Sequence, residues 1–265
     1  MTIQPIGTMI RDWRARRRLS QLDLASEADV SQRHLSFIES GRARPSRDMV
    51  LHLAEQLDVP LRDRNRLLLA AGFAPSFEER SIGHPSLEPA MTAVGKVLEG
   101  HAPNPALAID RHWNLVAANK AAATFLSEGI AERLLIPPVN VLRLSLHPEG
   151  LAPRIVNLAG WRAHLLERLH RLIVATGDDA LVTLEEELKT YPAGVSRTRP
   201  LHDEAQMIAY PLQIRAGEVV LSFFTTTTVF GTPLDVTLSE LAIESFFAAD
   251  AGTRFTLQAL ADGHA

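Results

Sequence analysis

The fold of the N-terminal part is decided by the stretch Ser31-Gln-Arg-His-Leu-Ser-Phe-Ile-Glu-Ser-Gly-Arg-Ala-Arg-Pro-Ser46. Serine is favoured at the start of a helix, and glycine is favoured just after its end. Ser31 and Gly41 therefore predict a short helix with polar side chains on its first turn. Ser46 then predicts the start of another helix.

A second short helix precedes this one. Ser20 predicts its start, with Asp23 at the third helical position in a capping-box-like arrangement. Asp29 and Val30 are expected to form the turn between the two helices. Two short helices joined by a tight turn, with polar residues exposed at the start of the second, have the layout of a DNA-reading helix-turn-helix.

Three further helices are predicted around this pair. Apolar residues at three-and-four spacing predict a first helix over about residues 6–18, and similar stripes predict a fourth over 46–57 and a fifth over 61–73. Five short helices within about seventy residues indicate a small all-α domain.

The apolar residues divide the surface of the third helix. Leu35 and Ile38 form its buried stripe, and Phe37 is expected to add to it. Glu39 is interpreted as an internal hydrogen-bond partner at the helix end, because an acid is unfavourable beside DNA. The side chains left pointing outward are Gln32, Arg33, His34 and Ser36.

The distribution of charge supports a DNA-binding N-terminal part, although the whole chain has a net charge of −4. Residues 1–75 carry twelve arginines and nine acidic residues, a net charge of +3, whereas residues 76–265 carry fifteen basic and twenty-two acidic residues, a net charge of −7. The phosphate-compatible part is therefore N-terminal. The end of the first helix is basic, and each of its arginines is as compatible with a solvated helix end as with a phosphate contact; these are Arg14, Arg16, Arg17 and Arg18.

The segments Ser20-Gln21, Ser31 to Glu39 and Gly41 to Ser46 resemble the XRE (Cro/phage-repressor-type) helix-turn-helix family, over roughly residues 6–73. The resemblance implies that Gln21 holds a DNA phosphate and that the first turn of the third helix enters the major groove. Arginine pairs bidentately with guanine and glutamine with adenine, each worth about 1–3 kcal/mol of discrimination. The expected base readers are Gln32, Arg33 and Ser36, with Ser31 and His34 as neighbours, while Arg42 and Arg44 are expected to hold the DNA backbone.

The alternative to a DNA-binding domain is a small helical domain that binds protein.

A proline- and glycine-containing segment, residues 74–89, predicts a linker between a DNA-binding domain over 1–73 and a second domain over 90–265. After a helix over 90–99, the alternation in 106–118 predicts a β-hairpin, and Asn119 is expected to cap the helix that follows. Further helices are predicted over 157–175 and from Asp178 to Lys189. The expected strands are Gln206–Ile214, Glu218–Phe230 and Leu234–Phe247, and Asp250 is expected to cap a last helix.

Five blocks of this second part occur in the order typical of the MmyB-like ligand-binding domain, which they resemble over about residues 90–258. Ala248 departs from the family, which often has proline there. The resemblance implies a PAS-like α+β domain, in which an antiparallel sheet with helices packed on one face encloses an apolar pocket for a fatty acid or similar amphiphile. The five blocks are Leu146-His-Pro-Glu-Gly-Leu151, Arg154-Ile-Val-Asn157, Phe223-Phe-Thr-Thr-Thr, Phe230-Gly-Thr-Pro-Leu-Asp-Val and Glu240-Leu-Ala-Ile-Glu-Ser-Phe-Phe.

Ligand pockets combine apolar walls with a few convergent polar groups. The expected wall residues are Trp113, Leu115, Phe125, Leu144, Trp161, Leu165 and Phe223. The expected polar contacts are Asn119, Arg143, His147 and Arg154. For each of the apolar side chains, an ordinary position in the protein core is the stronger alternative, and for His147 the alternative is a hydrogen bond within a turn.

Several kinds of chemistry are absent from the sequence. It contains no cysteine, no glycine-rich phosphate loop and no nucleophile elbow. His164 and His170 are six residues apart, whereas zinc-binding pairs on a helix use a four-residue step, so no metal site is expected. No cofactor is expected apart from a bound fatty acid or other small apolar effector. The N-terminus lacks a signal-peptide pattern and no apolar run reaches membrane-spanning length, which together predict a cytoplasmic protein.

These observations predict a non-enzymatic transcription regulator that binds operator DNA as a homodimer and whose second domain senses a small apolar effector. Two alternatives remain. One is a ligand-independent dimeric DNA-binding protein, which a filled core in the second domain favours. The other is an enzyme with an accessory helix-turn-helix, which polar residues converging in the pocket favour.

Overall fold

The N-terminal helices begin where their capping residues predict. Ser20, Ser31 and Ser46 each accept a hydrogen bond from the backbone N–H three residues further on. The structure is a computed structural model that describes residues 4–193, 210–230 and 235–263. The five predicted helices are confirmed as α1 (Ile6–Arg16), α2 (Gln21–Glu27), α3 (Gln32–Glu39), α4 (Arg47–Gln56) and α5 (Leu61–Ala70).

The chain forms two compact units, each with its own core. The described residues of the first unit are 4–81, 174–177 and 235–239, and those of the second are 82–173, 178–193, 210–230 and 240–263. The largest fully buried side chains of the N-terminal core are Ile10, Leu24, Leu35, Ile38, Leu53, Leu57, Leu67 and Leu68.

Helices α1 and α3 approach each other closely at Gly7. A Cβ atom on Gly7 would lie 2.3 Å from the carbonyl oxygen of Ile38. Only glycine permits this approach without a shift of the backbone, because that separation is far below van der Waals contact. The position of α3 in the unit therefore depends on a residue in α1.

The second unit is built on a five-stranded sheet in which all neighbouring strands are antiparallel, in the order β2-β1-β5-β4-β3. Its strands are β1 (Ala106–Ile109), β2 (Leu115–Ala118), β3 (Leu212–Ala216), β4 (Val219–Val229) and β5 (Ala242–Ala248). The helices along this part of the chain are α6 (Glu88–Gly100), α7 (Lys120–Ser127), α8 (Val141–Leu146), α9 (Leu158–Thr176), α10 (Asp179–Thr190), α11 (Val236–Ser239) and α12 (Ala251–Ala261).

The two faces of the sheet carry different cores. In β1, Leu107 and Ile109 join the large core that includes residues of α8, α9 and α10. The alternate residues Ala106 and Ala108 pack instead with Val94 of α6. The expected antiparallel α+β domain is confirmed, but the helices do not all lie on one face, since α6 covers the other.

The expected strand Leu234–Phe247 is partly wrong. The sequence Val236–Ser239 forms α11, and β5 begins only at Ala242. The Oδ1 atom of Asp235 accepts hydrogen bonds from the backbone N–H groups of Thr237 and Leu238, which starts a helical turn instead of a strand. The expected strand Gln206–Ile214 lies partly outside the described residues, and β3 begins at Leu212.

Candidate DNA interface and ligand cavity

The orientation of α3 is set by the turn before it and by its first residues. Asp29 has a φ of 49°, in the left-handed region that aspartate tolerates better than most residues. The Ser31 hydroxyl accepts a hydrogen bond from the His34 backbone N–H at 3.1 Å. This cap satisfies one of the free N–H groups at the start of the helix without using the side chains of Gln32 and Arg33.

The two sides of α3 differ as the apolar pattern predicts. Leu35 and Ile38 are 0% and 1% exposed, which places them in the core. Gln32 and Arg33 are exposed, and Ser36 is half-buried on the same outward side. Of the other residues expected to contact DNA, Ser31, Arg42 and Arg44 are exposed and Gln21 and His34 are half-buried.

Glu39 is the centre of a buried polar network. Its carboxylate is 3% exposed and accepts two hydrogen bonds from Arg14, from Nε at 2.7 Å and from Nη2 at 2.8 Å. Gln21 Nε2 donates a third at 2.8 Å. Burial alone raises the pKa of the Glu39 carboxyl, but the hydrogen bonds from Arg14 and Gln21 outweigh it and hold that pKa below its usual value. The prediction that Glu39 is an internal partner is confirmed.

This network fixes the direction of the Gln21 side chain. An ionised carboxylate only accepts hydrogen bonds, so the NH2 group of Gln21, and not its carbonyl oxygen, must face Glu39. The amide nitrogen has a second hydrogen for another acceptor. A DNA phosphate oxygen is an acceptor of the kind the sequence predicts for Gln21.

Phe37 does not add to the buried stripe, contrary to the prediction. Its side chain is half-buried and lies outside the set of residues that pack against the N-terminal core. The ring lies instead against Arg33, whose Cζ is 5.3 Å from the ring centroid, and Arg42, whose Cζ is 6.0 Å away. The apolar pattern failed here because arginine side chains, and not core residues, cover the ring.

The second unit contains an apolar cavity between the sheet and α7. Its volume is ≈ 60 Å³. Pockets that hold drug-sized ligands are about 300–1,000 Å³, so this space fits only a few carbon atoms without movement of its walls. Its lining residues are Pro105, Leu107, Ala122, Phe125, Leu126, Leu151, Leu212, Ile214, Phe223 and Phe246.

Two of the residues expected to line a pocket, Phe125 and Phe223, line this cavity, and their rings meet edge to face with centroids 6.3 Å apart. The other apolar candidates lie in or against the large core, and they are Trp113, Leu115, Leu144, Trp161 and Leu165. Of these, Trp113 packs beneath the guanidinium of Arg168.

The four expected polar side chains all form hydrogen bonds within the unit, but the buried Nη2 atom of Arg154 has none among the residues that the structure describes. Asn119 caps α7 through the Ala122 N–H and also bonds three backbone groups before it in the chain. Arg143 forms a bidentate ion pair with Glu187, with Nη2 to Oε2 at 2.6 Å. His147 Nδ1 accepts from the Glu149 N–H, which is the turn-satisfying alternative. Arg154 donates to the carbonyl oxygens of Glu128 and Arg215.

The structure adds cavity residues that the sequence did not predict, above all Leu107 and Phe246. Leu107 in β1 is paired with Glu244 in β5, two residues before Phe246, so the three side chains share one face of neighbouring strands. The alternation within β1 indicates that Leu107 faces the core. Its pairing with a strand near the end of the chain has no local signal.

A buried ion pair lies beside this wall. The carboxylate of Glu244 is 6% exposed and accepts hydrogen bonds from Arg168, at 2.8 Å and 3.3 Å, and from the Thr227 hydroxyl at 2.9 Å. No group of three or more histidine or acidic side chains suited to a metal ion occurs in the described part of the chain. Within the same residues, no helix has the length and apolar character needed to span a membrane.

A capped helix-turn-helix with exposed polar side chains on the second helix, followed in the same chain by a separate α+β unit with an apolar cavity, has the layout of a DNA-binding regulator with a ligand-binding domain. The comparisons with known families agree. A helix-turn-helix family model matches residues 10–63, and a model of the MmyB-like transcription regulator ligand binding domain matches residues 90–260. The chain belongs to the MmyB-like transcription regulator family. A search of curated proteins found no significant match.

Proposed function

We propose that this DNA-binding transcription regulator recognises an operator sequence as a homodimer, through the first turn of α3. The observation that carries the proposal is the exposure of Gln32 and Arg33 on a helix whose opposite side is anchored by Leu35 and Ile38. A rigid helix presents its side chains to base edges at low entropic cost. Helix-turn-helix proteins typically address two half-sites about one helical turn, roughly 34 Å, apart, which fits a two-fold dimer.

The roles of the DNA-contacting residues divide by chemistry. Arg33 and Gln32, with Ser36, read bases, because their donors match guanine and adenine edges. Gln21, Arg42 and Arg44 hold phosphates and set the register without reading sequence. His34 and Ser31 lie beside the readers.

The test is a comparison of two alanine variants on two duplexes. The duplexes are a site that the wild-type protein selects from a random library and a scrambled version of it. Arg33→Ala should remove most of the preference for the selected site. Gln21→Ala should weaken binding to both duplexes by a similar factor. Equal losses on both duplexes for both variants would refute the assignment of roles, and a wild-type protein that selects no site would refute sequence-specific binding itself.

For the second domain we propose a small apolar effector, such as the chain of a fatty acid, that enters the cavity lined by Phe125, Phe223 and Phe246. The lining is entirely apolar, which favours binding of hydrocarbon over catalysis. A cavity of ≈ 60 Å³ takes only part of such a chain, so we expect a longer stretch of the chain to enter only when a wall moves. Phe125, Leu126 and Phe246 are the half-buried parts of that wall. Phe246 is held in the sheet, where β5 pairs with both β1 and β4, so α7 is the element expected to move.

A ligand shifts a protein between two arrangements only by its difference in affinity for them. An effector that fits only after α7 moves has such a difference, which gives the second domain the property that a sensor needs. Native mass spectrometry of the purified protein tests this, because a co-purifying lipid is seen directly. Absence of any bound species, together with no shift in melting temperature on addition of fatty acids, would support the ligand-independent dimer instead.

The oligomeric state has its own test. Sedimentation of the protein with a duplex that carries two half-sites should give two copies of the protein per duplex. A duplex that carries only one half-site should bind the protein with lower affinity. One copy bound with unchanged affinity would refute the homodimer. Because its proposed target is operator DNA, we place the protein in the cytoplasm.

A further inference from the structure

We infer that Phe37 is a positioning residue for DNA recognition, which holds Arg33 and Arg42 in place from the side of α3. The inference deepens the proposed function and rests on it, since Arg33 and Arg42 are assigned to DNA there. Phe37 itself belongs to neither the core nor the expected set of DNA contacts.

The surroundings of the ring support this role. A half-buried phenylalanine that does not pack against the core has to be stabilised by other neighbours. Its neighbours are two guanidinium groups, with Cζ atoms 5.3 Å and 6.0 Å from the ring centroid. Both distances are within the range in which a cation is attracted to an aromatic face.

The backbone brings both arginines to the same ring. Arg33 lies one helical turn before Phe37, so the two side chains are neighbours on the helix surface. Arg42 returns to the ring because the chain reverses at Gly41, whose φ is 75°, and because the Ala43 N–H donates to the Phe37 carbonyl oxygen at 3.0 Å. The loop that carries Arg42 is thus tied to the residue whose ring it contacts.

A guanidinium held against a ring keeps its function toward DNA. When a guanidinium stacks on a ring, its N–H donors lie in the plane of the group and stay available for a guanine edge or a phosphate. A free arginine loses many rotamers when it binds, and a side chain already restricted by Phe37 loses fewer. Each cation–π contact at an exposed site corresponds to roughly a two- to fivefold change in an equilibrium constant.

The experiment is a double-mutant cycle in the full-length protein, on the selected duplex and its scrambled version. Phe37→Leu removes the ring and keeps apolar bulk, and Phe37→Tyr keeps the ring. Phe37→Met is a second ring-free variant, because methionine adapts to irregular surroundings if leucine disturbs the fold. Met49→Leu, at a half-buried residue that packs against the core of the same domain, is the matched control. Thermal melting of each variant reports on folding separately from binding.

Phe37→Leu and Phe37→Met should lower affinity for the selected duplex by roughly three- to tenfold. Affinity for the scrambled duplex should fall less, by at most about fivefold, because only the positioning of Arg42 toward a phosphate matters there. Phe37→Tyr should restore most of the loss. In an Arg33→Ala background, the effect of Phe37→Leu should fall to the roughly two- to fivefold of the remaining Arg42 contact. With Arg33 and Arg42 both replaced by alanine, the effect should disappear.

Three outcomes would overturn the inference. The first is an unchanged affinity in folded ring-free variants. The second is an equal loss in the presence and in the absence of both arginines, which would mean that the ring acts on DNA directly, for example on a thymine methyl group. In both of these the wild-type protein still prefers its selected site, so the proposed function stands. The third is a wild-type protein with no preferred duplex, which would overturn the proposed function and the inference together.

Discussion

Replacement of Glu39 by glutamine should destabilise the N-terminal domain more than its small change in shape suggests. Glu39→Gln keeps the size of the side chain but removes the charge that pairs with Arg14. The new amide can accept at only one oxygen, so its NH2 group must face a donor from Arg14 or Gln21. Removal of one partner of a buried ion pair costs about 3–5 kcal/mol. Because the Arg14 side chain is 14% exposed, we expect a loss of about 2–4 kcal/mol at neutral pH.

The same network predicts a pH dependence. The pKa of Glu39 in the folded protein lies below its ordinary value of 4.5. A carboxyl group with a depressed pKa stabilises the fold above its unfolded-state pKa, and this contribution is lost as the pH falls through the folded-state pKa. The difference in stability between wild type and Glu39→Gln should therefore be full at pH 7 and shrink below about pH 4.5.

Hydrogen exchange of the full-length protein, followed by mass spectrometry on peptides that cover α3, measures the local stability of this helix. The measurement does not require the two units to unfold together. Glu55→Gln is the control, because Glu55 is an exposed acid in the same domain and should change stability by less than about 0.5 kcal/mol. If Glu39→Gln protects α3 as well as Glu55→Gln does, or if its effect is the same at pH 4 as at pH 7, the network does not stabilise the helix in the way described.

Three further predictions concern packing. Gly7→Ala should lower the stability of the N-terminal domain by about 1–3 kcal/mol in chemical denaturation, despite the higher helix propensity of alanine, because its Cβ meets the Ile38 carbonyl oxygen; a gain in stability would show that α1 shifts freely. Asn119→Ala should lower the stability of the second domain by about 2–4 kcal/mol in the same assay, because it leaves several buried backbone groups unpaired; a loss below about 0.5 kcal/mol would mean that water replaces the amide. Ala122→Val should fill part of the cavity and abolish any melting shift caused by fatty acids, and a retained shift would place the ligand elsewhere.

The helix-turn-helix was predictable because its signals are local. Ser20 and Ser31 act within three residues of themselves, and the spacing of Leu35 and Ile38 determines which side of α3 is buried. Glu39 was also within reach, since an acid at that position had no favourable role on the DNA side. The surroundings of Phe37 could not be predicted in this way. Periodicity identifies an apolar residue, but it does not show whether the side chains that cover it are core residues or arginines.

The polar groups of the second domain could not be assigned from the sequence for a related reason. Buried or partly buried polar side chains need partners, and most find them within their own unit. The side-chain amide of Asn119 forms hydrogen bonds with backbone groups that precede α7, and Arg143 pairs with Glu187 on α10. Proximity in the chain to apolar residues therefore says little about whether such a side chain faces a ligand.

The cavity wall is the feature least accessible to prediction from the sequence, because it depends on pairing between strands that are distant in the chain. Leu107 faces Glu244 across β1 and β5, and the register that sets this pair also places Phe246 in the wall. A shift of one residue in that register would turn Phe246 away and bring Ser245 or Phe247 to the same face. The sequence predicts that each strand has one buried side, but only the pairing decides which aromatic side chains meet Phe125. The apolar surface available to an effector is therefore a property of the assembled sheet, whereas the start of α3 and the side that it buries follow from residues of the helix itself.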